Sequence, residues 1–282
     1  MKVRLLTALG ILVFGLPLLI FSQYIVYPIA LGVLSGIAAF ELLRVFGLHK
    51  KFSVSVPVYL VSALLPFFSS DVFFSSDEQM KYVVIMAVSF FVLLLWLASV
   101  AVFSHGRVNY KSVSAVFMSV VYVTVSFTSL SLLRYMERGA YFFELVFISA
   151  WMCDSFAYFT GRLFGKHKLA PELSPKKTVE GALGGVLFSV IGCLLYGLII
   201  ELIEPALNAN YLMLAVIGLL GAVIAQVGDL WASLIKREYG VKDYSKLLPG
   251  HGGIMDRFDS IFAVSTAILI ICMLAPPFVP AA

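Results

Sequence analysis

Long runs without charged residues divide this chain, and they restrict its fold more than any other feature. Such runs lie between Lys111 and Arg134, between Glu180 and Glu201, and between Glu204 and Asp229. Each run suits one helix that crosses a bilayer, because about 20 apolar residues at about 1.5 Å each cover roughly 30 Å of hydrocarbon. Only 13% of the residues are charged, whereas a soluble domain has roughly a quarter. The sequence therefore predicts an all-α, polytopic integral membrane protein.

Other apolar runs raise the predicted number of transmembrane helices to about nine. The first run, from Leu5 to Phe40, is too long for one crossing and is expected to turn back near Ser22–Tyr24. The remaining predicted spans cover about 54–74, 81–105, 141–164 and the chain after Asp259. We therefore divide the chain into N-terminal transmembrane helices, 1–140, and a C-terminal transmembrane region, 141–282, which contains two polar loops at 162–180 and 236–259.

The basic residues predict the orientation. With nine spans and a cytoplasmic N-terminus, Lys2, Arg4 and most other Lys and Arg residues lie on one side of the membrane, and only Lys81, Arg134 and Arg138 lie opposite. Cytoplasmic loops carry an excess of Lys and Arg, so the basic side is expected to be cytoplasmic. An uncleaved first helix is expected, because no small-x-small cleavage pattern follows it.

The second polar loop and its flanks combine acids, bases and glycines. If the preceding helix continues to Arg237, then Asp229, Ser233, Lys236 and Arg237 share one face. The last span begins with a second acidic pair, three residues apart, and acidic residues suit a helix N-terminus. This pair is Asp256 and Asp259.

Together these groups predict a site for magnesium and phosphate. Magnesium binds through one or two protein carboxylates with waters and substrate phosphates, and Lys and Arg are natural phosphate partners. Gly250, Gly252 and Gly253 would let the backbone approach a phosphate closely. The alternative, which we prefer for any single residue but not for the group, is a solvated loop with Asp229 paired to a neighbouring lysine.

The first polar loop predicts an anion site. Lys176 and Lys177 precede a helix expected to begin near Gly181, and a helix N-terminus with basic neighbours attracts phosphate. Lys166 and Lys168 are interpreted as anchors of the flanking helices. Asp154 lies about ten residues inside its span, where an ionisable group predicts a function. Its structural alternative is a hydrogen bond to Tyr158 or Ser155.

The two loops resemble one enzyme family. The pattern Ser233-x-x-Lys236-Arg237-x4-Lys242-Asp243, followed by His251-Gly252-Gly253-x-x-Asp256-Arg257-x-Asp259, resembles the signature of the CDP-diacylglycerol synthases, the phosphatidate cytidylyltransferases. Ser174-Pro175-Lys176-Lys177-Thr178-x-Glu180-Gly181 and Asp154-x-x-Ala157-Tyr158 resemble two further stretches of that family. The resemblance covers roughly residues 150–260, and the helices before it resemble the family only in being hydrophobic.

The resemblance implies a nucleotidyltransferase of phospholipid biosynthesis that converts CTP and phosphatidic acid to CDP-diacylglycerol and pyrophosphate. It implies Mg²⁺, and room is left for a second cation. From the distribution of basic residues, the active site is expected to face the cytoplasm. The expected partners are the two substrates and the bilayer, without nucleic acid, and a homodimer is left open.

The residues take three expected roles. The metal ligands are Asp229 and Asp256, followed by Asp154 and Asp259. The other catalytic residues are Lys176, Lys177, Lys236 and Arg237, which neutralise phosphates. The substrate-binding residues are Ser174, Thr178, Glu180, Ser233, Lys242, Asp243, His251, Gly252, Gly253 and Arg257.

Two other functions remain as alternatives. A CTP-dependent lipid-alcohol kinase would share a basic, Gly-rich CTP motif, but it needs a general base for the hydroxyl proton. An ion or anion transporter would use Asp154 and Asp229 as coupling residues. The polar residues cluster at one predicted face of the membrane and not at its midplane, which argues against the transporter.

Overall fold

The fold is described by a computed structural model that covers residues 10, 13, 15, 17–70, 73, 74 and 78–281. The predicted first span falls mostly outside these residues, as do Lys2 and Arg4. The chain forms a turn near Ser22–Tyr24, where the amide of Tyr24 donates to the carbonyl of Phe21 at 3.1 Å, and its reversal between two spans stays a prediction. The helices that follow are α1 Val26–Val45, α2 Phe52–Phe68, α3 Gln79–Phe103, α4 Tyr110–Tyr135, α5 Gly139–Phe164, α6 Val179–Ile203, α7 Tyr211–Glu238 and α8 Met255–Leu274.

Seven of these helices are long and apolar enough to cross a membrane, within the described part of the chain. The exception is α2, which has 17 residues and contains Pro57 and Pro66. A mostly helical, polytopic membrane protein is thus confirmed, whereas the number of nine spans stays a prediction.

Four short strands depart from the all-α prediction. They are β1 Lys168–Ala170, β2 Ser174–Thr178, β3 Leu207–Ala209 and β4 Phe278–Pro280. Strand β1 pairs antiparallel with β2, so the predicted loop 162–180 contains a hairpin, and β3 pairs antiparallel with β4.

The chain divides into two compact units. The first contains the described residues up to Tyr135 together with Glu238–Phe258. Within it, α1 packs on α2 and α4, and α3 packs on both α2 and α4. The apolar core of this unit includes Leu43 of α1, Val58 of α2, Leu97 of α3 and Val120 of α4. Helices α1 and α2 approach closely at Gly32, where a Cβ would lie 2.6 Å from the carbonyl oxygen of Ala63.

The second unit comprises Met136–Arg237 and the described residues from Asp259 onward. Its main contact is between α5 and α6, which lie side by side and are joined by the β1–β2 hairpin. Helix α7 is tied to α6 by the hydroxyl of Ser189, which donates to the carbonyl of Gly218 at 2.9 Å. Small residues at the crossings allow such close helix packing in a membrane protein.

Candidate active site

A cleft of about 350 Å³, whose largely apolar surface carries several charged side chains, opens in the second unit. Helices α5, α6 and α7 and the hairpin surround it. Its lining contains five of the predicted site residues: Asp154, Lys176, Lys177, Thr178 and Asp229. Tyr158, Arg162 and Gln226 add further polar groups. The structure therefore brings Asp154 and three predicted residues of the hairpin together with the aspartate of α7, whereas Ser174 and Glu180 are outside this lining.

The base of the cleft is shaped by glycines and by the cap of α6. A Cβ on Gly181 would lie 2.6 Å from the carbonyl oxygen of Ala157, so only glycine allows α5 and α6 to approach this closely. Thr178 is the N-cap of α6, and its hydroxyl accepts a hydrogen bond from the amide of Gly181 at 3.2 Å. Threonine is favoured at this position because its side chain satisfies an amide of the first turn. Lys176 and Lys177 therefore precede the N-terminus of a long helix, as predicted.

Lys177 forms an ion pair with Asp229 inside the cleft. Both side chains are about three-quarters buried, with 27% and 25% of their surfaces exposed. The alternative interpretation of Asp229, a carboxylate paired with a neighbouring lysine, describes this contact. The pair also places one side chain that suits a metal beside one that suits a phosphate.

Two more carboxylates belong to the same unit. Oδ2 of Asp154 accepts a hydrogen bond from the hydroxyl of Ser260 at 3.0 Å. Among the described residues, neither Tyr158 nor Ser155 is found hydrogen-bonded to Asp154, and the hydroxyl of Tyr158 accepts from Nη1 of Arg162 at 3.4 Å. Asp259 interacts electrostatically with Asp154, Asp229 and Lys236. Three aspartates and two lysines thus influence one another.

This donor set suits magnesium that binds together with a phosphate substrate. Within the described residues, no group of three or more His, Cys, Asp or Glu side chains is arranged to hold a metal ion. Magnesium needs only one or two protein carboxylates when waters and substrate phosphates complete its octahedron. Asp229, with Asp154 or Asp259, could supply that number, so the residues present are chemically suited to the ion.

Glu180 stabilises the hairpin. Its carboxylate accepts hydrogen bonds from the amides of Lys166 at 3.0 Å and of His167 at 3.2 Å, and it contacts Nδ1 of His167 at 2.6 Å. These bonds connect the first turn of α6 to the segment before β1. Substrate binding by Glu180, and by the half-buried Ser174 at the start of β2, stays a prediction.

The end of α7 confirms a conditional prediction. The helix continues through Arg237 to Glu238, so Asp229, Ser233, Lys236 and Arg237 have the helical spacing that places them on one face. Lys236 is buried, with 9% of its surface exposed, whereas Arg237 is exposed. Both lie in the last turn, where cations interact favourably with the helix dipole.

The remaining predicted site residues belong to the loop of the first unit. Lys242, Asp243 and Arg257 are exposed, and His251 is partly exposed. A tight turn links Leu248 to Gly252 through reciprocal backbone hydrogen bonds of 2.8 and 3.0 Å. Gly250 and Gly252 have φ values of 78° and 85°. The glycines thus serve the turn itself, because few other residues adopt positive φ.

Asp256 stabilises the same loop. Its Oδ2 accepts hydrogen bonds from the amides of Tyr244 at 2.8 Å and Gly253 at 3.0 Å, and only 7% of its surface is exposed. Metal binding by Asp256 stays a prediction. The structure adds that this carboxylate closes the loop on itself.

The chain is similar to known proteins over most of its length. The Cytidylyltransferase family matches residues 2–275 of the chain. This chain belongs to that family. It is similar to proteins named phosphatidate cytidylyltransferase from Staphylococcus haemolyticus, with 35% identity, from Staphylococcus aureus, with 37%, and from Bacillus subtilis, with 34%. Each alignment covers 94% of this chain and between 94% and 96% of the relative.

In this member of the cytidylyltransferase family, Glu41 was not predicted from the sequence. The residue lies in α1 and only 1% of its surface is exposed. Its carboxylate accepts hydrogen bonds from Ser245, Ile254 and Met255, all within the first unit. One signal was available, since Glu41 immediately follows the uncharged run that ends at Phe40. A carboxylate at the end of a membrane helix requires partners, but the sequence does not identify them.

Proposed function

We propose that the chain transfers the cytidylyl group of CTP to phosphatidic acid, giving CDP-diacylglycerol and pyrophosphate. The observation that carries the proposal is the Lys177–Asp229 pair in a cleft that also contains Asp154 and Lys176. Family membership and the name of the relatives support it. Carboxylates beside lysines suit a reaction in which two phosphate-bearing substrates must approach each other.

In the proposed reaction, an oxygen of the lipid phosphate attacks the α-phosphorus of CTP. One P–O bond forms, the bond between the α-phosphorus and its bridging oxygen breaks, and pyrophosphate leaves with the electron pair. The phosphate monoester has a second pKa of about 6, by analogy with phosphorylated side chains, and so it is an anionic nucleophile at neutral pH. No strong general base is needed.

The main barrier is repulsion between the two anions. Lys176 and Lys177 would bind the phosphates of CTP at the N-terminal end of α6, where amides and the helix dipole favour negative charge. Asp229 would hold Mg²⁺ with Asp154 or Asp259, and the bound ion would neutralise charge on the phosphates and the leaving group. Lys236 and Arg237 supply further positive charge at the end of α7.

The loop of the first unit keeps its predicted role in substrate binding. Its proposed contributors are Lys242, Asp243, His251, Gly252, Gly253 and Arg257. A homodimer and a second cation also remain predictions.

We propose nine spans with a cytoplasmic N-terminus, so that the cleft faces the cytoplasm. The support is the charge distribution, because the other orientation would put most Lys and Arg residues on the wrong side. Single-cysteine variants at Lys176 and Lys81 test this in sealed vesicles of known orientation. Reagent confined to the extracellular side should label Lys81→Cys but not Lys176→Cys, and the reverse pattern would reject the orientation.

The activity is tested with protein purified in detergent and supplied with CTP, Mg²⁺ and phosphatidic acid. Mass spectrometry of the lipid extract should show CDP-diacylglycerol, and phosphate analysis should show pyrophosphate in equal amount. Omission of phosphatidic acid should abolish both products. Monodisperse protein that forms neither product would contradict the proposal.

A further inference from the structure

Glu41 is a buried carboxylate with an unusual set of partners. Its Oε1 accepts from the hydroxyl of Ser245 at 2.6 Å and from the amide of Ile254 at 3.0 Å, and its Oε2 accepts from the amide of Met255 at 2.9 Å. No ion pair to Glu41 is found among the described residues, and Asp256 adds a repulsive charge nearby. Three hydrogen bonds therefore compensate the cost of burying this side chain.

The donors lie at both ends of the glycine-rich loop. Ser245 follows Lys242 and Asp243, and Ile254 and Met255 stand at the start of α8, between Gly253 and Asp256. The first amides of a helix have no partner within the helix and carry partial positive charge. Glu41 satisfies two amides there, although it lies 213 and 214 residues away in the sequence. A side chain from another helix thus caps α8.

The packing around Glu41 leaves little freedom for the loop. A Cβ added to Gly253 would overlap the carboxylate of Glu41, and one added to Gly252 would lie 2.6 Å from Oδ2 of Asp256. The loop backbone is consequently held by two carboxylates, that of Glu41 from α1 and that of Asp256 from α8. Glu41 is too deeply buried to reach a substrate, so its effect must pass through the loop.

We propose that Glu41 is a positioning residue, which fixes the backbone of Ser245–Met255 and thereby the orientation in which His251 and Arg257 meet substrate. The inference rests on the proposed function for its effect on catalysis, but its effect on the loop does not depend on that function. Replacement of the carboxylate should loosen the loop and weaken CTP use while the helices stay folded.

The first test measures the loop directly. Glu41→Gln keeps the size of the side chain, but its amide nitrogen cannot accept a hydrogen bond from a backbone amide. Limited trypsin digestion of the purified protein should cleave after the exposed Lys246 about tenfold faster in the variant, since loss of a charge-assisted hydrogen bond lowers the cost of local opening. This result is expected whether or not the protein uses CTP.

Glu201→Gln is the matched control. Glu201 also accepts from a backbone amide, that of Ala209 at 2.6 Å, and from the hydroxyl of Tyr211 at 2.5 Å, but these partners belong to the second unit and lie outside the cleft. The control should leave cleavage after Lys246 unchanged. Glu41→Asp, which retains the charge, should partly restore the slow cleavage of the original protein.

The second test measures kinetics on monodisperse protein. Glu41→Gln should raise the KM for CTP and lower kcat, with kcat/KM reduced about tenfold, as expected for a misplaced substrate contact. A residue that served stability alone would reduce the folded yield and leave kcat and KM of the folded fraction unchanged. Unaltered cleavage together with unaltered kinetics would overturn the proposal.

If Glu41→Gln does not fold, a milder variant can be tested in its place. Ser245→Ala removes one donor to Glu41 and leaves the amides of Ile254 and Met255 in place. It should shift the cleavage rate and the KM for CTP in the same direction by a few fold. If Ser245→Ala changes neither quantity while Glu41→Gln does not fold, the role of Glu41 is structural and the proposal is wrong.

Discussion

The ammonium group of Lys177 and the carboxylate of Asp229 form an ion pair that joins strand β2 to helix α7. The pair holds opposite charges at one point of the cleft, where the proposed reaction needs a cation for a phosphate and a carboxylate for magnesium. Since each partner neutralises the other, neither charge is left buried without a counter-charge. On binding of CTP with magnesium, Lys177 would exchange the carboxylate of Asp229 for a phosphate, and Asp229 would exchange the ammonium of Lys177 for the metal ion.

Asp229→Asn should lower kcat by about a thousandfold, because it keeps the shape of the side chain and removes a magnesium ligand worth several kcal/mol. Steady-state rates at several magnesium concentrations measure this loss. Glu137→Gln is the matched control, since Glu137 also forms an ion pair, with Arg138, but is 85% exposed and lies outside the cleft. Near-normal turnover of Asp229→Asn at low magnesium would remove Asp229 from the metal site.

Lys177→Gln should reduce kcat/KM for CTP by about ten- to a hundredfold, the range for one charge-assisted contact to phosphate. Lys168→Gln provides the comparison, because Lys168 lies opposite Thr178 in the same hairpin but outside the cleft lining. It should change kcat/KM less than twofold. Equal losses in the two variants would mean that the lysines act through general surface charge and that Lys177 does not contact a particular phosphate of CTP.

Gly252→Ala should destabilise the protein more than Gly106→Ala does. Both glycines have positive φ, 85° and 81°, which costs other residues about 1 kcal/mol or more. A Cβ on Gly106 has open space around it, whereas one on Gly252 would lie 2.6 Å from Oδ2 of Asp256. The apparent Tm should fall by about 2–4 °C for Gly106→Ala and by clearly more for Gly252→Ala. Equal shifts in Tm would show that the close contact with Asp256 does not affect the stability of the protein.

The sequence predicted the membrane helices well, because runs of apolar residues between charges report directly on the thickness of a bilayer. It also predicted that a helix follows the two lysines of β2, and the condition set for a shared face, that α7 continues to Arg237, is met. The extent of a helix depends on residues that are close in sequence, so it can be predicted from local patterns. The number of nine spans was not confirmed, since the predicted first span falls mostly outside the described residues.

The β1–β2 hairpin was missed because its strands have only three and five residues and are rich in lysine. Such short polar segments resemble any cytoplasmic loop. Whether the two strands pair depends on the positions of the flanking helices α5 and α6. The hydrogen-bond partner suggested for Asp154 was also wrong. Nearby hydroxyls suggested Tyr158 or Ser155, but the donor is Ser260, 106 residues away. Contacts over such distances depend on tertiary packing, and so does the environment of Glu41.

The most direct test of the account is the fate of CTP labelled both in its base and in its γ-phosphate. Purified protein is incubated with this CTP, magnesium and phosphatidic acid, and the lipid is then extracted. The account predicts that the base label enters the organic phase and that the γ label stays in the aqueous phase as pyrophosphate. With added pyrophosphate, the base label should return to the aqueous phase as CTP. A lipid-alcohol kinase, given its alcohol, would do the opposite, with the γ label in the lipid and the base label in aqueous CDP, and that result would contradict the account.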